Sequence, residues 1–185
     1  MKATDQLKED HRVIEKALGA VRKLAEAMAQ GKAVDASLFE KAGEFFGDFA
    51  DRCHHGKEED LLFPLMEKRG IPAQGGPLAV MLDEHVQGRA FVRAFREAAK
   101  RYAAGDKSAA GEIVENVNGY VHLLLHHIMK EDQVLYVMAD RALKESDDEE
   151  LLRGFDRVEH ELIGHGAHER YHHLAEELEQ AAAKL

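Results

Sequence analysis

Apolar residues recur along this chain at intervals of three and four, and no stretch alternates apolar with polar positions for long enough to make a strand. Ala, Leu, Glu and Lys, the strongest helix formers, fill the intervals. The pattern predicts five helices, over about 4–30, 37–69, 77–104, 107–143 and 148–183. They are separated by "QGKAVDAS", where Asp35 or Ser37 can cap the next helix, by "RGIPAQGGP", by "AAGDKS" and by "KESDDE". Connections this short make neighbours antiparallel, so the fold class expected is all-α, an up-down-up-down four-helix bundle with an additional C-terminal helix. Residues 1–145 form the expected bundle domain and 146–185 a helical extension packing on it.

Composition narrows the setting. One cysteine among 185 residues, Cys53, excludes an intramolecular disulfide and fits a reducing compartment. The first fifteen residues are charged throughout and cannot serve as the apolar part of a signal peptide. No apolar run approaches the roughly 18 residues that span a bilayer, so a cytoplasmic protein with no membrane partner is expected. With 35 acidic against 25 basic side chains the formal charge is −10. A chain so acidic, with no basic stripe, is not expected to bind nucleic acid. Twelve histidines are the anomaly, and they come in spaced clusters.

The densest cluster is "HHGKEEDLLFP", His54 to Pro64. On a regular helix His55 and Glu59 lie only about 40° apart around the axis, on the side of Leu62 and Met66. Placing a histidine and a glutamate on an apolar face is costly unless something pairs with them. The construction recurs seventy-two residues later in "HHIMKEDQVLYVM", with His126, His127, Glu131 and Asp132 aligned on His54, His55, Glu59 and Asp60. Tyr120, Leu124, Val134 and Met138 share the face of His127 and Glu131. The first helix adds His11 beside Ile14, Leu18 and Glu15, and the third adds His85 beside Leu82 and Val92.

One histidine on an apolar face is ordinarily a hydrogen-bonded core residue. Six groups at compatible spacing on four helices, His11, His55, Glu59, His85, His127 and Glu131, point instead to a metal site. Glu15 and Glu58 stand close enough to be additional ligands or supports for ligands. His54 and His126, rotated by about 100° from their neighbours, are expected at helix interfaces or in solvent. Imidazole and carboxylate suit iron, and also manganese, zinc or cobalt.

The series His11, His55 with Glu59 and "DLLFP", His85 in "DEH", and His127 with Glu131 resembles the haemerythrin-like cation-binding family over about residues 1 to 143. The resemblance implies a four-helix bundle around two iron ions, oxo- or hydroxo-bridged. It makes His11, His55, His85 and His127 terminal ligands, and Glu59 and Glu131 bridges. Two departures bring the chain closer to the family's bacterial members than to its oxygen carriers. The carriers have a second histidine on the third helix, four residues after the first, where this chain has Arg89; and they use an aspartate five residues after the last histidine, where Glu131 stands four after His127.

A missing imidazole leaves a coordination position open, which favours a site that reacts with O2, peroxide (H2O2) or nitric oxide (NO), in a peroxidase-, catalase- or oxidase-like manner. A non-catalytic oxygen or redox sensor or carrier is the second reading, and an iron delivery or storage protein the third. Monomer and homodimer are both compatible with the sequence. The last helix carries His160, His165, His168, His172 and His173; His165 or His168 could fill the open position, or the row could lie in solvent. Within it "HERYH" matches the zinc-protease pattern formally, but five residues carry little information and no sheet edge is predicted beside them.

Overall fold

The computed structural model describes residues 2–164 and 166–185, apart from the side chains of 161–163, 167 and 168. Every regular element among the described residues is helical. Helix α1 spans Ala3–Ala29, with the Asp5 carboxylate accepting the Lys2 backbone N–H at 2.9 Å. Helix α2, Ala36–Phe45, begins at Asp35, whose side chain accepts the Ser37 N–H at 2.9 Å, as the capping pattern predicted.

The second expected helix is not regular. From α2 the chain runs on through π-helical stretches at Phe46–His55 and Glu58–Leu62 into α3, Phe63–Lys68. Helix α4 is Pro77–Ala103, opened by a proline where no backbone N–H is needed. A 3₁₀ turn, Lys107–Ala109, leads into α5, Ala110–Lys130, then a π-helical stretch at Glu131–Leu135, then α6, Tyr136–Ala142. Because π-turns bond i to i+5, each takes up more residues than an α-turn and shifts which side chains face inward.

The single helix expected over 148–183 is broken. Helix α7, Glu145–Arg157, continues into a π-helical stretch, Val158–Ile163, and the chain turns at Gly164 and Gly166 before α8, Ala167–Ala182. Both glycines have positive φ, +96° and +74°, a conformation that side chains strongly disfavour.

Helix α4 packs along α5 and α2, and α1 packs along α5 and α8. The larger core gathers Phe39, Phe45, Phe46, Phe49, Leu18 and Leu24. A second lies around Leu7, Leu62, Met66, Leu135, Tyr136 and Phe155. Burying each such side chain contributes about 1.5–3 kcal/mol.

Four segments cross from one core to the other, and each carries histidine at the crossing. His11 lies between Leu7 and Ile14, His54 and His55 between Phe49 and Leu62, His85 between Met81 and Val92, and His127 between Leu124 and Leu135.

The C-terminal segments are fastened to this body. Arg69 donates twice to Asp147, at 2.8 and 2.7 Å, and Tyr171 packs on Phe45 and Phe49 while its hydroxyl donates to Asp48 at 3.1 Å. Gly154 allows α7 to approach: a Cβ there would meet the Leu61 side chain at 2.9 Å.

Candidate metal centre

Five histidines, His11, His54, His55, His85 and His127, are buried, and each ring turns Nδ1 toward a carboxylate. His11 donates to Asp132 at 2.7 Å, His85 to Glu59 at 2.7 Å and His127 to Glu84 at 2.8 Å. His54 and His55 reach Asp10 and Asp51 at 3.4 Å. A carboxylate on Nδ1 fixes the tautomer with the proton on the outer nitrogen and leaves the Nε2 lone pair pointing inward. Basic side chains back these carboxylates: Arg12 bonds Asp132, Lys130 bonds Glu84, Lys57 reaches Asp10 at 3.0 Å, and Arg89 holds both Glu59 and Asp51 at 2.7 Å.

The inward nitrogens then face one another. His11 and His54 approach Nε2 to Nε2 at 2.9 Å, and His85 and His127 at 3.0 Å. Two lone pairs at that distance repel unless a proton or a metal ion lies between them. The carboxylates at the centre make the same demand. Glu58 Oε2 and both oxygens of Glu131 are buried and accept no hydrogen bond; the Glu131 oxygens instead face the inner nitrogens of His11 and His127 at 3.2 and 3.1 Å, a costly arrangement unless those rings are protonated or a metal ion is shared between them. Ligand atoms of His55, Glu58, His85 and His127 lie within 4.8 Å of one another, as do those of His11, His54 and Glu131. These donors fit metal ions.

Electrostatics agree. Burial, with Glu131 beside it, pushes the Glu58 carboxyl well above the usual range. Burial would raise Glu131 too, but the histidines His127 and His11 hold it well below. Two carboxylates sharing one buried space cannot both ionise cheaply without positive charge between them. Burial likewise takes His54 down to about 4, keeping its ring neutral and its lone pair free.

The centre has an internal two-fold pattern that corrects the alignment read from the sequence. The matching offset between the two long segments is seventy-three residues, not seventy-two: His54, Lys57, Glu58, Glu59 and Phe63 correspond to His127, Lys130, Glu131, Asp132 and Tyr136. Phe63 stacks on His85 as Tyr136 stacks on His11. Aligning on the paired histidines gave the wrong register. Aligning "KEEDLLF" on "KEDQVLY" gives the right one, and the spacing of Glu58, Leu62 and Met66, four apart and all fully buried, marks the same face.

The expected residues therefore fall as follows. His11, His55, His85, His127 and Glu131 come together. Glu59 lies outside both clusters, on the outer nitrogen of His85, and its expected place is taken by Glu58. His54, expected at an interface or in solvent, is in the centre, because the π-helical backbone lets two successive histidines face inward. His126 is exposed and bonds the His122 carbonyl at 2.7 Å. Glu15 pairs with Arg12 at 3.3 Å on the surface. Leu82 and Val134, read as inward, are exposed.

Arg89 does not mark a lost imidazole, since with His54 present the histidines number five and His55 stacks on His85 at 3.8 Å. His165 and the His168 side chain lie outside the described residues, and so does the first histidine of "HERYH". His160 is exposed, 3.9 Å from Asp156. Among the described residues no helix is long and apolar enough to cross a membrane.

Tyr136 carried no signal in the sequence beyond its apolar spacing. Its hydroxyl donates to Glu58 Oε1 at 2.8 Å and lies 3.4 Å from His11 Nε2.

The family model of the hemerythrin HHE cation-binding domain matches residues 2–139. No curated protein and no solved structure matches the chain. With three quarters of its length under that model, and buried histidine and glutamate clusters able to hold metal, the chain belongs to the hemerythrin HHE cation-binding family.

Proposed function

We propose that this chain is a non-haem di-iron protein that binds O2 and reacts with it or with peroxide or nitric oxide, with manganese or zinc as the alternative metals. The observation that carries the reading is the convergence of five Nε2 lone pairs on two glutamates whose inner oxygens accept no hydrogen bond. Glu58 and Glu131 are the proposed bridges, and the five histidines the terminal ligands. An iron pair supplies redox change and a place for a small oxidant to bind.

The protein's own residues make the two halves unequal. His55, His85 and His127 gather on one side, and only His11 and His54 on the other, because the residue matching His55 in the repeat is Ile128. The two-histidine half is the proposed place for the small molecule, since it has fewer protein donors. Tyr136 stands on that side. Its hydroxyl holds Glu58 in place and is the nearest protein O–H to a molecule bound there. Two apolar cores lie above and below the site, and the five outer carboxylates orient its rings.

The proposed architecture is an up-down-up-down bundle over residues 1–145 with 146–185 as an extension on its outside; the pairing of α1, α2, α4 and α5 and the contacts of Tyr171 and Asp147 support it. A complete set of five histidines also favours a second reading, a reversible carrier or sensor, more than Arg89 in the sequence did. Metal analysis with ultraviolet-visible spectra before and after peroxide, in air and without it, tests both. About two irons per chain and peroxide consumed with turnover support a reactive centre. Two irons with a reversible O2 spectrum and no turnover support the carrier, and zinc alone would remove both.

A further inference from the structure

A groove of about 350 Å³ runs along α4 beside the metal centre. Gly88, Val92, Arg96 and Lys100 line it at four-residue intervals, so it follows one stripe of the helix for about 18 Å. Its inner end reaches His55: Phe46, Val92 and Tyr120 are buried walls, Arg89 and Asp51 stand there paired to each other, and Gly88 leaves room that a side chain would take. Its outer end is cationic. A volume of about 350 Å³ is within the range that holds a small organic ligand.

The charges of the lining do not cancel. Asp51 is taken by Arg89 at 2.7 Å and Glu97 by Lys100 at 2.8 Å. Arg93 and Arg96 remain, and among the described residues neither makes an ion pair within the protein. Arg96 is held in place by two glycines of the neighbouring segment. A Cβ on Gly43 would stand 2.3 Å from the Arg96 Cγ, and Arg96 Nη1 lies 3.8 Å from the Cβ position of Gly47, so the Arg96 stem crosses Gly43 where no side chain blocks it and its guanidinium reaches the groove beside Gly47. A half-buried guanidinium with no carboxylate of its own is a ready receptor for a ligand's carboxylate.

We propose that the groove binds an amphipathic organic anion, a monocarboxylate with a linear apolar tail, its carboxylate on Arg93 and Arg96 and its tail running along Val92 and Phe46 toward His55. The anion would then end against a ring of the proposed metal centre, with Arg89 between them. Arg89 bonds both Asp51 and Glu59, the carboxylates behind His55 and His85, so an occupied groove presses on the group that orients two rings.

Calorimetry with octanoate on the full chain tests this, on metal-loaded and metal-stripped protein alike, so that a chain holding no iron leaves the test intact. Saturable octanoate binding is expected, with acetate and 1-octanol each at least tenfold weaker. The Arg93→Ala/Arg96→Ala double variant, and separately Val92→Phe, which fills the groove, should each weaken octanoate at least tenfold. Circular dichroism checks that both variants fold; if Val92→Phe does not, the arginine pair decides alone, with Arg93→Gln/Arg96→Gln as its milder form. No saturable octanoate heat, undiminished binding in the folded variants, or inorganic phosphate competing as strongly as octanoate would each overturn the proposal.

Discussion

His85 and His127 face each other Nε2 to Nε2 at 3.0 Å, each with its other ring nitrogen bonded to a glutamate. Held this way the facing nitrogens need a second proton or a metal ion between them: burial opposes the proton, but Glu131 and Glu84 outweigh it and raise His127 to about 9, so without metal that ring has to carry it. Removing metal should therefore destabilise the fold. A metal present at about a hundred times its dissociation constant contributes about 2.7 kcal/mol. Calorimetric melting before and after chelation should show a clear drop in Tm, and an unchanged Tm would count against a metal at this place.

Glu58 and Glu59 are neighbours with different tasks. Glu58 puts an oxygen that accepts no hydrogen bond 3.5 Å from the inner nitrogen of His85, while Glu59 sits on its outer nitrogen. Glu58→Gln and Glu131→Gln should each lose most of the bound metal. Glu59→Gln should keep it, with affinity lowered about 10–100-fold through a looser His85 ring. Plasma emission analysis of the three purified variants decides, and equal metal loss in all three would erase the distinction.

Tyr136 differs from its counterpart Phe63 by one hydroxyl, and that hydroxyl donates to Glu58 at 2.8 Å. Tyr136→Phe strips a buried carboxylate of its donor, at about 1–3 kcal/mol of stability. Metal content should survive. The rate of spectral change on mixing with peroxide should move by about tenfold, the scale of one well-placed donor in a buried site. Stopped-flow traces superimposable on the parent's would reduce Tyr136 to a packing residue.

Asp147 accepts two hydrogen bonds from Arg69, which with the Lys144 backbone N–H hold its carboxyl down to about 2, from an ordinary 3.8. A carboxyl depressed by folding contributes stability that is fully present above its unfolded value and fades as pH falls toward the folded one. Asp147→Asn should thus be less stable than the parent at neutral pH, and the gap should close between pH 3.8 and about 2. Urea titrations at pH 6, 4 and 2.5 would show it; a gap that widens on acidification would contradict the ion pair.

Much of this protein was legible in its residues. Period-three-and-four patterning is enough for an all-helical chain, since burial of one face is what that period encodes. Asp35 announced its cap because a side-chain acceptor beside a free N–H acts within three residues. The metal-binding character followed from His11, His55, His85, His127 and Glu131, because histidine and glutamate on apolar faces are costly without a cation.

What the residues did not disclose was register. An angle of 100° per residue assigns Glu59 and excludes His54, and that angle fails where the backbone widens into π-turns at Phe46–His55 and Glu58–Leu62. Nothing local to the sequence dictates those turns. Gly164 and Gly166 marked a place where the last helix could bend, but glycine only permits a left-handed turn, and the packing of α8 along α1 is what uses it. Likewise the role of Arg89 as a clamp on Asp51 and Glu59, thirty-eight and thirty residues away, exists only where α4 is laid against its neighbour. Helical class and the kind of chemistry are set by near neighbours along the chain, and so the sequence alone determined them. Which of two adjacent glutamates faces the buried histidines, and which histidines gather there, depend on backbone geometry and on contacts across the core, and only the tertiary structure decided those.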